Sequence, residues 1–133
     1  MNLNPLQIEE LKSKTSPQSK AMHLGHLEFF CHDCFKTYAF YVDILGFEFV
    51  TVQDEQFVWL RLGELEILLR PGEPPKPTPA PTSGSSFVLH VDDLVGLEES
   101  LSDQGIEFLS HEENPDLIAF TDPDGRWIQA KEV

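Results

Sequence analysis

Basic residues are scarce in this chain: 9 lysines and arginines stand against 23 aspartates and glutamates, a formal net charge of -14 over 133 residues. That balance repels phosphate backbones and anionic bilayer surfaces, so neither nucleic acid nor membrane is an expected partner. Cysteine is sparse as well. The 2 cysteines are too few for a disulfide framework, which agrees with a reducing compartment. No apolar run approaches the roughly 20 residues that a bilayer-spanning helix needs. The N-terminus lacks the charged-then-apolar layout of a secretory signal. The expectation is a cytoplasmic protein with one sizeable core.

What the chain does have is a pattern that occurs twice. His26 to Asp33 reads as a strand and cap, followed by a helical segment to Leu45, then Gly46, Phe47, Glu48, Phe49 and Val50. Ser86 to Asp93 opens a second copy whose helix ends at Gly105, Ile106, Glu107, Phe108 and Leu109. Asp33 and Asp93 lie 60 residues apart, and Gly46 and Gly105 lie 59 apart, so the copies slip by a single residue. An internal duplication accounts for this.

Residues 1–21 read as an extension to the repeat. Asn4 is placed to cap a helix with Pro5 at its first position and Gln7 completing a capping box, Leu3 is placed to staple to Ile8, and the helix runs to about Leu11. Residues 12–20 read as a linker. Module one, 22–70, follows as a strand over His23–Cys31, a helix with a Phe35, Tyr38, Val42, Leu45 stripe, and strands at Phe47–Val52, Gln56–Leu62 and Leu65–Leu69. A linker at 71–85 carries Pro71, Pro74, Pro75, Pro77, Pro79 and Pro81. Its prolines favour extended geometry outside any sheet; a PxxP ligand for an adaptor domain is the sharper reading of the same residues. Module two, 86–133, repeats the order with strands at Phe87–Val91, Ile106–Ser110, Leu117–Thr121 and Trp127–Lys131, and a Leu94, Leu97, Leu101 helix stripe. Asp122, Pro123, Asp124 and Gly125 suit a tight turn before the last strand. The predicted fold class is α+β, two βαβββ modules.

These residues resemble the vicinal oxygen chelate superfamily, which includes glyoxalase I, extradiol dioxygenases and the fosfomycin and bleomycin resistance proteins. His26 with Asp33, the run Phe40, Tyr41, Ile44, Leu45, Gly46, Phe47, the turn at 122–125 and the second-copy Val91, Asp92, Asp93, Gly105 carry the resemblance, over about residues 22–133. It implies sheets curled around a cleft, a small-molecule ligand and a homodimer. In metal-dependent members it implies a divalent ion held by first and last strands with positions left open for substrate oxygens.

Position by position, the implied ion site is degraded. His26 matches the first-strand ligand, but its counterpart is Ser86, and the last-strand carboxylate is replaced by Gln129. Glu66 is a further candidate ligand whose register is open: aligning Gly63 with Gly125 sets Ile67 opposite Gln129, and one step of slip sets Glu66 there. A metal set of His26, Glu66 and Gln129 is incomplete, and a metal-free pocket is the leading expectation.

The remaining candidates each carry two readings. Glu28 shares the predicted face of His26, and His90 that of Ser86; either is a candidate general acid or base, or a plain hydrogen-bonded strand residue. Trp59 and Arg61 share a face on the third strand, with Arg61 a candidate for a ligand carboxylate or a local surface ion pair. Trp127, on the face of Gln129, reads as a pocket wall or as core filling. Cys31 and Cys34 form a CxxC that reads as a zinc or redox pair, with Cys34 at a low-pKa helix start, or as two ordinary thiols. Together these give a ligand pocket of His26, Glu28, Trp59, Arg61, Ser86, His90, Trp127 and Gln129. The leading function is binding of a small organic molecule. The alternatives are a metal-dependent lyase, dioxygenase or thiol transferase, and a non-catalytic interaction module.

Overall fold

The computed structural model describes residues 2–14, 21–81 and 84–133. Helix α1, Pro5–Lys12, precedes strand β1, Leu27–Cys31; helix α2, Cys34–Ala39, runs on into a π-helical turn, Phe40–Ile44. Strands β2 (Glu48–Gln53), β3 (Phe57–Leu62) and β4 (Leu65–Pro71) complete module one. Module two contains β5 (Phe87–Val91), helix α3 (Leu94–Asp103), β6 (Leu109–Ser110), β7 (Leu117–Thr121) and β8 (Trp127–Glu132). Each module forms one four-stranded mixed sheet, ordered β1-β4-β3-β2 and β5-β8-β7-β6. In both, the first strand pairs in parallel with the last. The α+β architecture of two βαβββ modules is therefore present, and the two sheets do not close on one another.

The single-residue slip between the copies has a local cause. Both helices start on an aspartate, since Asp33 Oδ1 accepts from the Phe35 and Lys36 amides and Asp93 Oδ1 from Gly96. Both end where a glycine takes positive φ, +78° at Gly46 and +71° at Gly105. In α3 the Ile106 amide then returns to the Leu101 carbonyl at 2.8 Å, the usual six-residue closure. In module one the Phe47 amide reaches one residue further back, to Tyr41, at 2.9 Å, and Leu45 bonds to Phe40. The extra residue is absorbed as a π turn, which is how a helix accommodates an insertion without shifting its ends.

Of the expected Phe35, Tyr38, Val42, Leu45 stripe, the last three pack against the core, whereas Phe35 is 59% exposed and the fully buried positions include Thr37 and Tyr41. These polar residues face the core because module two supplies their partners. Asp124 accepts from the Thr37 hydroxyl at 2.7 Å, and Asp122 from the Tyr41 hydroxyl at 2.8 Å. The His32 amide donates to Asp124. Arg126, whose side chain is 11% exposed, bonds Asp122 at 2.9 Å, Asp124 and the Phe30 carbonyl. The turn of module two is thus a latch into the helix of module one.

Around the latch lies one shared core. Leu60, Leu69, Leu101, Phe120 and Ile128 are completely buried in a single cluster drawn from both modules. Phe29 stacks on Phe87 at 6.0 Å, and Phe40 meets Phe120 at 6.2 Å across the module boundary. α1 carries the expected capping box, with Asn4 and Gln7 bonding reciprocally, yet buries no residue; Leu3 and Ile8 are both exposed. Residues 15–20 of the expected linker, and Thr82 and Ser83 of the second, lie outside the described residues. No helix among the described residues is long and apolar enough to cross a membrane.

The latch sets a pH dependence. Burial by itself would raise the Asp124 carboxyl, but the His32 amide, the Thr37 hydroxyl and Arg126 outweigh it and hold it below the ordinary 3.8. As pH falls the unfolded chain takes up this proton first, so the contribution is complete above about pH 4 and is lost as pH drops through the depressed folded value. The melting temperature should fall steeply below about pH 4, and Asp124→Asn should flatten that fall. An unchanged acid slope in the variant would remove Asp124 from the account.

Candidate functional site: the open faces of the two sheets

One face of each sheet turns inward to the shared core; the other is left open, and it carries the candidate residues. In sheet one, period-two geometry directs Leu27, Phe29 and Cys31 inward and His26, Glu28 and Phe30 outward. Pairing of Glu28 with Leu68, Trp59 with Leu68 and Arg61 with Glu66 extends that open face across β4 and β3. The side chains of His26, Glu28, Arg61, Glu66 and Arg70 are each 35–39% exposed.

The open face of sheet one is a continuous network. His26 Nε2 lies 3.6 Å from Glu28, and its ring meets Trp59 edge-to-face at 4.8 Å. Trp59 Nε1 donates to Gln53 at 2.7 Å. Arg70 Nη1 donates to Glu28 at 2.7 Å, while its guanidinium lies 5.2 Å from the centroid of Phe30 and 5.7 Å from that of Phe57. Among the described residues Arg70 Nε is buried without a hydrogen-bond partner. Arg61 bonds Glu66 at 3.1 Å. The Arg70 hydrogen bond, ahead of the charge of His26, holds the Glu28 carboxyl below its usual range. A carboxylate held in this way is a weak base.

Sheet two gathers the other set. Gln129 Nε2 donates to Ser86 Oγ at 3.5 Å, so the two positions equated with a lost ion site are neighbours. His90 is exposed and stands opposite Lys131 in register. Trp127 Nε1 donates to the Thr78 carbonyl at 3.0 Å. Among the described residues these contacts fall into two groups, one on each sheet.

The register of Glu66 differs from both alignments considered above. Glu28 pairs with Leu68 and Val88 with Gln129, and Glu28 and Val88 each precede their capping aspartate by five residues. Leu68 is thus the counterpart of Gln129, and Glu66 that of Trp127. The alignment on glycines failed because the β3–β4 connection spans residues 63–64, whereas β7–β8 spans 122–126. Glu66 nonetheless shares the face of His26. Arg70, Phe30 and Phe57 were missed: β4 was ended at Leu69, and continuing the alternation of Glu66 and Leu68 by one step would have reached Arg70.

The cysteines are buried and free. Burial pushes the Cys31 thiol up to about 12 and raises Cys34 as well. This corrects the redox reading, which required a low-pKa Cys34, and leaves two ordinary core thiols. An aromatic disulfide reagent at pH 8 should react with both at least about tenfold more slowly in the folded chain than in urea. Fast reaction of either in the native state would contradict the burial.

A model of the Glyoxalase/Bleomycin resistance protein/Dioxygenase superfamily matches residues 23–130. The chain belongs to that superfamily. Among solved structures, a genomically encoded fosfomycin resistance protein, FosX, from Listeria monocytogenes superposes with a TM-score of 0.68 at 17% identity, over 84% of this chain and 91% of that one. TnmS3, an antibiotic binding protein from Streptomyces sp. CB03234, gives 0.64 at 20%, over 86% and 98%. Lactoylglutathione lyase from Agrobacterium tumefaciens gives 0.61 at 20%, over 86% and 96%. At such identities the superpositions speak to the fold. Against curated protein sequences the chain has no match.

Some superfamily members hold a divalent ion, and the residues here do not fit one. No three His, Cys, Asp or Glu side chains gather among the described residues. His26 is a single imidazole, Glu28 and Glu66 are each committed to an arginine, and Ser86 and Gln129 contribute no charge. Such an ion needs about three good protein ligands.

Proposed function

We propose that this superfamily member binds a small organic molecule on the open face of sheet one, without a metal. The observation that supports this most directly is the half-exposed array of His26, Trp59, Phe30 and Arg70, an aromatic surface with hydrogen-bonding groups at its centre. A planar ligand with an acidic group meets both the rings and the part-exposed Arg70 guanidinium. TnmS3, a neighbour of the same fold, is described as an antibiotic binding protein.

A second copy of the chain is the natural wall for this face. Phe30 is 43% exposed on the open side of sheet one. A homodimer covering it turns a shallow surface into a pocket. A monomeric mass by sedimentation at about 0.1 mM would count against it.

The test of the ligand reading uses Trp59 as reporter in a Trp127→Phe chain. Planar aromatic anions, beginning with anilinonaphthalene sulfonate and extending to antibiotics, should quench it saturably. Arg70→Ala should weaken binding by about tenfold, equivalent to about 1.4 kcal/mol. A panel that leaves Trp59 emission untouched would sink the proposal. Parallel calorimetry with nickel, zinc, manganese and ferrous ions addresses the metal-dependent enzyme that His26 keeps in play: stoichiometric uptake abolished by His26→Ala would reverse the ranking. The interaction-module reading rests on α1, where Leu6 is 82% exposed; deleting residues 1–21 should then change the oligomeric mass.

A further inference from the structure

The proline-rich segment does more than cross between modules: it lies along the open face of sheet two. Three points fix it there. Pro77 sits on Gly125, where an added Cβ would come within 3.0 Å of its ring. The Thr78 carbonyl accepts from the Trp127 indole at 3.0 Å. Pro81 borders a cavity of about 200 Å³ with Leu109, Leu117, Ala119 and Gln129. Thr78, Ala80 and Pro81 are partly buried, whereas Pro77 and Pro79 are exposed.

The chemistry of this seat is specific. Prolines lack N–H donors, so such a segment has no internal hydrogen bonds and presents its carbonyls outward beside rigid apolar rings. An indole N–H that takes one carbonyl, next to an apolar groove that takes a ring, recognises those two features and little else. Gly125 adds the backbone clearance that any side chain would fill. At the counterpart of Trp127, sheet one has Glu66, which is paired to Arg61. Only sheet two therefore has the seat.

We infer that the open face of sheet two is a binding site for proline-rich peptide segments, held in the resting chain by its own residues 75–81. The segment is a tethered occupant that leaves and returns, and while docked it closes Trp127 and Gln129 to other molecules. Tethering supplies an effective concentration of about 1 mM, so nine-tenths occupancy in cis corresponds to a dissociation constant of about 0.1 mM for the detached segment. This is independent of the ligand reading of sheet one, and either can fail alone.

The test replaces residues 74–81 with an equal length of Gly and Ser in a Trp59→Phe chain, where Trp127 is the remaining indole. Trp127 emission should move to the red and become more accessible to acrylamide. A synthetic peptide of residues 74–81 should reverse both, half-saturating near about 0.1 mM, while a Gly/Ser peptide of equal length should not. Unchanged emission on replacement, or no reversal by about 1 mM peptide, overturns the inference. Should the replaced chain fold poorly, the intact chain still answers by indole hydrogen exchange: slow exchange of the Trp127 N–H supports a docked segment, and exchange at the rate of free tryptophan refutes it.

Discussion

Asp122→Ala should lower the unfolding free energy by about 3–5 kcal/mol, the range for removing one partner of a buried ion pair. The side chain is completely buried. Its oxygens accept from Tyr41 Oη at 2.8 Å, Arg126 Nη1 at 2.9 Å and the Asp124 and Arg126 amides at 2.9 and 3.0 Å. Alanine leaves a buried guanidinium with Asp124 and the Phe30 carbonyl but without its shorter carboxylate contact, and a buried phenol that has lost its acceptor. Burial would lower Arg126 and Asp122 outweighs it; a guanidinium is basic enough to stay charged without that partner, so part of its desolvation then goes uncompensated. Tyr41→Phe removes a single bond and should cost about 1–2 kcal/mol. Urea unfolding of the three chains checks the order. Since a domain of this size has about 5–15 kcal/mol in total, an Asp122→Ala loss below about 1 kcal/mol would mean that the latch is dispensable.

Phe120→Ala should cost a similar amount, about 3–5 kcal/mol, from lost transfer energy and the cavity left behind. Phe120 has no exposed surface and meets Phe40 of the other module. The prediction extends to cooperativity. With Trp59 reporting on module one and Trp127 on module two, each in a chain lacking the other indole, the destabilised unfolding curves should coincide. If Trp127 reports an earlier transition than Trp59, the modules are separate folding units and the shared core is overstated.

How much of this could be read beforehand depends on whether the responsible interactions are local. The α1 capping box, the two aspartate caps and the glycine stops are set within a few residues, and all were legible. Strands β5 and β7 were legible to their end residues because alternation and flanking turns bounded them. The expected strand at Ile106–Ser110 shrank to Leu109–Ser110, since the Ile106 amide is spent on closing α3. Thr37 and Tyr41 look like surface residues until residues more than 80 positions later provide their acceptors. The candidate residues His26, Glu28, Trp59, Arg61 and Glu66 were found because each strand's alternation is local. How they lie relative to Ser86, His90, Trp127 and Gln129, which belong to the other sheet, depends on the placement of two sheets and is not local.

The latch also has a consequence for the order in which the protein can be made. Helix α2 leaves the ribosome more than 80 residues before Asp122, and until the turn emerges the Thr37 and Tyr41 hydroxyls have no acceptor and Phe40 has no facing ring. The nascent first half is thus held back from completion, with its sticky side bare for several seconds at about 5–20 residues per second. The shared core and the latch are complete only once the final hairpin has cleared the exit tunnel.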